Sequence, residues 1–108
     1  MVAQKPSGGV DFGYLEAFVA GDRQVIFEVL ALFQQQAQAW AGSLDAGDAG
    51  WRDVVHTIKG AARGVGAKAL GDICAEAEAQ GEAGLPAVRT ALERAMADIA
   101  AYQARGQD

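Results

Sequence analysis

Apolar residues recur along this chain at spacings of three and four, and no segment alternates with the period of two that marks a half-buried strand. Helices follow from that pattern. After Asp22, a residue suited to an N-cap, Val25, Ile26, Val29, Leu30, Phe33, Ala37 and Trp40 form the buried stripe of a long helix. The polar run from Asp45 to Asp48 ends it. Ahead of it, Asp11 caps a short segment carrying Phe12, Leu15, Phe18 and Val19, which stops at Gly21 and is expected to lie against one end of the domain. Asp48 is the expected cap of a third helix, which carries His56, runs to about Val65 and is broken by Gly66. A fourth, from Ala67 to Gln80, turns Leu70, Ile73, Cys74 and Ala77 to the core and is closed by Gly81 and Gly84. Pro86 fits the first turn of a fifth, where its missing N–H costs little, and Val88, Leu92, Ala95, Met96, Ile99 and Tyr102 make that helix's apolar stripe. The class is all-α: an antiparallel up-and-down four-helix bundle with a short extra N-terminal helix. Residues 1–9 read as a flexible lead-in and residues 10–105 as a single domain.

Size and charge narrow the function. A chain of 108 residues is one domain, able to bury about 65% of the surface its unfolded form exposes. Its net charge of -5 and pI near 4.7 argue against nucleic acid or an anionic membrane as partner, since both repel an acidic protein. The cations are unevenly spread, and four of the nine, Arg52, Lys59, Arg63 and Lys68, bracket the single histidine, His56. One cysteine, Cys74, cannot form an internal disulfide and falls on an apolar stripe, as a small buried hydrophobe in a reducing compartment would. The N-terminus lacks the apolar segment of a signal peptide, and no run approaches the roughly 18 to 20 apolar residues that span a bilayer. A cytoplasmic protein is expected.

The chemistry concentrates on the third helix. With Trp51 at the zero of a helical wheel, Val55, Ile58, Ala62 and Val65 lie within about 40° of it. His56 projects at about 140°, with Lys59 at about 80°, Arg52 at about 100°, Arg63 at about 120° and Gly60 at about 180°. The imidazole therefore faces water, among cations and beside a residue with no side chain. An imidazole with a lone pair available near neutral pH can accept a phosphoryl group, and an ammonium nearly one turn onward can meet the charge it brings. His56 is the candidate phosphoacceptor and Lys59 the candidate phosphate-stabilising residue. Gly60 reads either as a tolerated helix glycine or as the gap through which a partner approaches the ring. Arg52 and Arg63 are candidates for orienting a partner. Phe27, roughly 140° from the centre of its helix's stripe, is either a scattered surface apolar residue or part of a docking patch.

These residues carry a resemblance. His56, Thr57, Ile58, Lys59, Gly60, Ala61 and Ala62, then Val65, Gly66 and Ala67, then Leu70, Cys74 and Glu78 closely resemble the signature of histidine-containing phosphotransfer (HPt) domains. The chain departs from it at Ala77, where the family usually has Leu or Met, and adds a helix-interior glycine at Gly64. The resemblance implies a helical bundle and transfer from the aspartyl phosphate of a response-regulator receiver domain, with a hybrid histidine kinase as a further partner. It places the metal, Mg²⁺, in the receiver's acidic pocket, so this chain is expected to hold no metal and no cofactor of its own. It implies attack through Nε2 with Nδ1 held by other contacts, although the sequence alone leaves the nitrogen open. No P-loop or glycine-rich nucleotide loop is present in the sequence, so the reading is a monomeric carrier and not an ATP-dependent kinase.

Other readings are weaker. One His and one Cys on different helices do not supply the three or four ligands of a zinc site. The dimerisation hairpin of a sensor kinase would place an acid where Thr57 stands and a Pro after the motif. The alternative that stays open is a non-phosphorylated helical interaction module whose basic face binds an acidic, receiver-like partner.

Overall fold

The structure, a computed structural model, describes residues 10–18, 22–45, 47 and 49–106. The expectations placed on residues 1–9, Val19, Gly21, Ala46 and Asp48 lie outside the described residues. Within them the chain is helical and has no strand. The elements are α1 (Phe12–Phe18), α2 (Arg23–Gly42), α3 (Trp51–Gly64), α4 (Lys68–Gln80), a one-turn 3₁₀ helix (Glu82–Gly84) and α5 (Leu85–Gly106).

Local chemistry sets most boundaries. The Asp11 carboxylate accepts from the Tyr14 N–H at 3.1 Å, and that of Asp22 from the Gln24 and Val25 N–H groups at 3.1 and 3.2 Å, so both predicted caps are made. At the start of α3 the N-cap position is Gly50, with no side-chain cap, and Asp53 supplies negative charge in the first turn. Gly66, with φ of 84°, turns the chain from α3 into α4, and Gly81, with φ of 91°, ends α4. Pro86 occupies the first turn of α5.

The buried stripes are those of the periodicity: Ile26, Leu30, Phe33 and Ala37 on α2, Trp51, Val55, Ile58 and Ala62 on α3, Leu70, Cys74 and Ala77 on α4, and Val88, Leu92, Ala95 and Ile99 on α5. Several positions differ from expectation: Val29, Trp40, Met96 and Tyr102, read as members of the buried stripes, are only partly buried. Val25 was placed on the core stripe but is 37% exposed. It stands about 100° from Ile26, at the rim of the stripe. Ile73 is only partly buried, at the α4–α5 margin. Phe27, read as exposed, is partly buried and meets Tyr102 edge-on with ring centroids 6.1 Å apart, while Phe12 stacks on the same ring at 4.1 Å. A wheel drawn for one helix registers only the central core, whereas α1 and α5 build a side wall against α2.

The departure at Ala77 has a structural partner. A Cβ added at Gly84 would lie 2.7 Å from the Ala77 Cα and 2.8 Å from its Cβ, so the turn before α5 presses against this small residue. Among the described residues, three further bonds tie α5 to the rest: Gln34 Nε2 donates to the Met96 carbonyl at 2.9 Å, the Arg89 guanidinium donates to the Leu44 carbonyl, and the Tyr102 hydroxyl donates to Glu16 Oε2 at 2.8 Å. None of the helices is long and apolar enough to cross a membrane, among the described residues.

Candidate functional site

Burying Trp51, Val55, Ile58 and Ala62 leaves the opposite face of α3 to water, and His56 projects there with 72% of its side chain exposed. Its ring is held from α4. Nδ1 lies 3.0 Å from Glu78 Oε2, and the other oxygen of that carboxylate, Oε1, accepts from the Lys59 ammonium at 2.5 Å. Glu78 thus bridges the two residues that sequence reasoning put forward. Lys59, partly buried, spends one of its three N–H donors on this contact.

The bridge fixes the state of each group. The hydrogen bond from Lys59, followed by that from His56, holds the Glu78 carboxyl below its ordinary value of 4.5. An ionised carboxylate only accepts, so Nδ1 must carry the proton it shares with Glu78. In the neutral ring the lone pair then belongs to Nε2, on the exposed side. A depressed carboxyl contributes stability at pH above its unfolded value and loses that contribution as pH falls through its folded value. Thermal midpoints measured from neutral pH down through and below 4.5 are therefore expected to show native chain more stable than Glu78→Gln at the upper end, with the advantage vanishing on acidification.

The remaining candidates divide. A Cβ at Gly60 would meet nothing within 4 Å, so the surface beside the ring is open there. The Arg52 guanidinium lies 4.6 Å over the Trp51 ring. Arg63 lays its stem over Gly71, whose Cβ would sit 3.0 Å from Arg63 Cγ, and reaches Asp72 at 4.0 Å. Asp72 also holds Lys68 at 2.9 Å, and that bond leads in keeping its carboxyl below the ordinary value. Phe27 belongs to the aromatic cluster with Tyr102 and Phe12 instead. Cys74 is buried, and burial pushes its thiol up to about 11, as an inert core residue requires.

Sequence reasoning missed Glu78 as a site residue. It closes the motif of the resemblance, but its pairing with Lys59 spans 19 positions and the α3–α4 turn, and helical spacing does not reach across a turn. Among the described residues, no three His, Cys, Asp or Glu side chains group to hold a metal ion.

Residues 23–102 match the sequence profile of the Hpt domain. Among solved structures, the chain is similar to the crystal structure of histidine phosphotransferase ShpA from Caulobacter crescentus. The two share 55% sequence identity and a TM-score of 0.84, over 91% of this chain and 93% of that one. No curated protein matches the sequence.

Proposed function

The chain belongs to the Hpt domain family, and on that premise we propose that His56 is the residue through which it performs histidine phosphotransfer in a phosphorelay. One observation carries the assignment: the exposed imidazole is gripped at Nδ1 by an ionised carboxylate, which leaves Nε2 facing solvent as the nucleophile.

The step balances without a base. The Nε2 lone pair attacks the phosphorus of a receiver's aspartyl phosphate, the P–O bond breaks, and its electron pair leaves on the aspartate carboxylate. The ring, still protonated at Nδ1, becomes formally cationic and carries a dianionic phosphoryl group. Lys59 is positioned to share its remaining N–H donors with that group. Replacing it by Ala is expected to slow loading of His56 about tenfold, the loss of one charge-assisted hydrogen bond, in a rapid-quench assay with phosphorylated receiver. Return of the phosphoryl group to a second receiver is the same step reversed.

The same reading covers the rest of the carrier. We take α2 to α5 as an antiparallel up-and-down four-helix bundle with α1 as the added helix, in one domain over residues 10–105. In support, the middle of α3 (His56, Lys59) pairs with late α4 (Glu78), and the end of α3 (Arg63) with early α4 (Asp72). The chain acts as a monomeric covalent carrier, not an ATP-dependent kinase, in the cytoplasm where receiver domains and a hybrid histidine kinase would meet it. Mg²⁺ is assigned to the receiver. Gly60, Arg52 and Arg63 are assigned to the docking face around the ring. Phe27, drawn into the aromatic wall, is the weakest member of that set.

The test is direct. Purified chain mixed with a phosphorylated receiver domain and Mg²⁺ is expected to gain one acid-labile phosphoryl adduct by intact mass and to lose it to an unphosphorylated receiver. Binding without an adduct across several receivers would favour the passive interaction module.

A further inference from the structure

Four cations bracket His56, and the fold treats them differently. Lys59 is bound to the Glu78 carboxylate, while Arg63 and Lys68 share the carboxylate of Asp72 at 4.0 and 2.9 Å. Each of these three charges is met by an acid of the same chain. Arg52 is the exception: among the described residues, no carboxylate pairs with its guanidinium. Asp53, the next residue, projects about 100° further round the helix.

What holds Arg52 is an aromatic ring. Its guanidinium lies 4.6 Å over Trp51, which is only 5% exposed and so anchored in the core. Contact with a ring fixes a guanidinium without neutralising it, because the ring supplies a quadrupole and not a charge. Arg52 itself stays exposed. It stands one turn before His56, and side chains on a helix lean toward its N-terminus, so the imidazole leans over the turn that Arg52 occupies. The result is a fixed, unmatched cation at the edge of the reacting ring. Arg52 also lies outside the run from His56 to Glu78 by which the chain resembles its family.

We propose that Arg52 is a specificity-determining residue: it pairs with a carboxylate on the rim of the receiver's phosphoacceptor pocket, and so selects receivers that carry an acid there. This deepens the phosphotransfer reading and rests on it. A planar fork held in one place suits a carboxylate, which it can grip through two parallel N–H bonds. The chain's net charge of -5 opposes an acidic partner at a distance. An unmatched cation beside the acceptor reverses that sign at the one place where the partner must come close. Arg63 and Lys68 serve this purpose less well, since an arriving carboxylate would compete with Asp72 for them. Lys59 is left to the phosphoryl group, and Arg52, drawn back over the indole, to the partner.

Docking can be measured apart from transfer. An unphosphorylated receiver domain with Mg²⁺ is titrated against native chain, Arg52→Ala, Arg52→Lys and Arg52→Glu at several salt concentrations. Loading is followed in parallel from the phosphorylated receiver and from phosphoramidate, a small donor with no docking surface. Arg52→Ala is expected to weaken receiver binding about fivefold at low salt, the upper end for an exposed ion pair. Native chain should lose more of its affinity than Arg52→Ala as salt is raised, because only native chain has the pair to screen. Arg52→Glu should bind more weakly still, and Arg52→Lys, which keeps the charge without the fork, should recover part of the affinity. Equal affinity and equal salt dependence in native chain and Arg52→Ala would overturn the assignment. So would a loss of loading rate as large with phosphoramidate as with receiver, which would put the guanidinium on the phosphoryl group. Receiver binding that depends on Arg52 but never loads His56 would instead overturn the phosphotransfer reading.

Discussion

Substituting His56 by Gln is expected to abolish phosphoryl acceptance outright: no acid-labile adduct by intact mass with any phosphorylated receiver, under conditions in which the native chain is loaded. His56 is the only histidine in 108 residues, so no neighbouring imidazole can substitute. Gln has a comparable polar reach but no nucleophilic ring nitrogen. The fold should survive, because the side chain is 72% exposed and contributes nothing to the core. Its one structural bond is to Glu78, on the surface, and a change of no more than about 1 kcal/mol is expected in denaturant unfolding. Receiver binding should persist. The result that would count against the site assignment is an adduct of unchanged yield in a folded His56→Gln chain.

The largest loss of stability from a single methyl group is expected at Gly66. Two penalties coincide there. The residue sits at φ of 84°, and a Cβ would lie 2.7 Å from the Asp11 carbonyl oxygen and 3.2 Å from the Tyr14 ring. The first costs about 1 to 2 kcal/mol for an L-residue. The second forces apart two backbone segments that cannot yield cheaply, since the Asp11 N–H donates to the Gly66 carbonyl at 2.8 Å. A strained, overpacked site typically adds about 1 to 3 kcal/mol. Together Gly66→Ala should cost about 2 to 4 kcal/mol, lowering Tm by about 10 °C or more for a domain of this size. Gly81→Ala separates the terms, because Gly81 shares the positive φ, at 91°, and its Cβ would meet nothing within 4 Å. Equal losses at the two glycines would mean that the contact with Asp11 carries no weight.

The same turn bears on function. Gly66 reverses the chain so that α4 lies along α3, and only that reversal brings Glu78 to the His56 ring. A Gly66→Ala chain that still folds should therefore also show looser control of the imidazole.

Much of this was readable from residue order alone. Period-three-and-four spacing identified the helices, and the cap carboxylates Asp11 and Asp22 were assigned correctly because capping is local chemistry over two or three positions. The outward direction of His56 followed from the apolar stripe of its own helix. Where a residue's setting depends on a second helix, the sequence pattern lost its grip. Phe27 was assigned to solvent because its own stripe lies elsewhere, yet Tyr102, 75 positions on, covers it. Val25 erred the other way: a rim position on α2 is buried only if a neighbouring helix reaches it, and none does so fully.

Residue order alone specifies an all-helical chain with one water-facing histidine among cations, since helical periodicity and side-chain direction act within a single turn. What that histidine is bonded to depends on how the helices pack. Glu78 reaches His56 across 22 positions, through a glycine turn and the packing of α3 on α4. Distances of that kind are set by how two helices meet, and no spacing within either one encodes them.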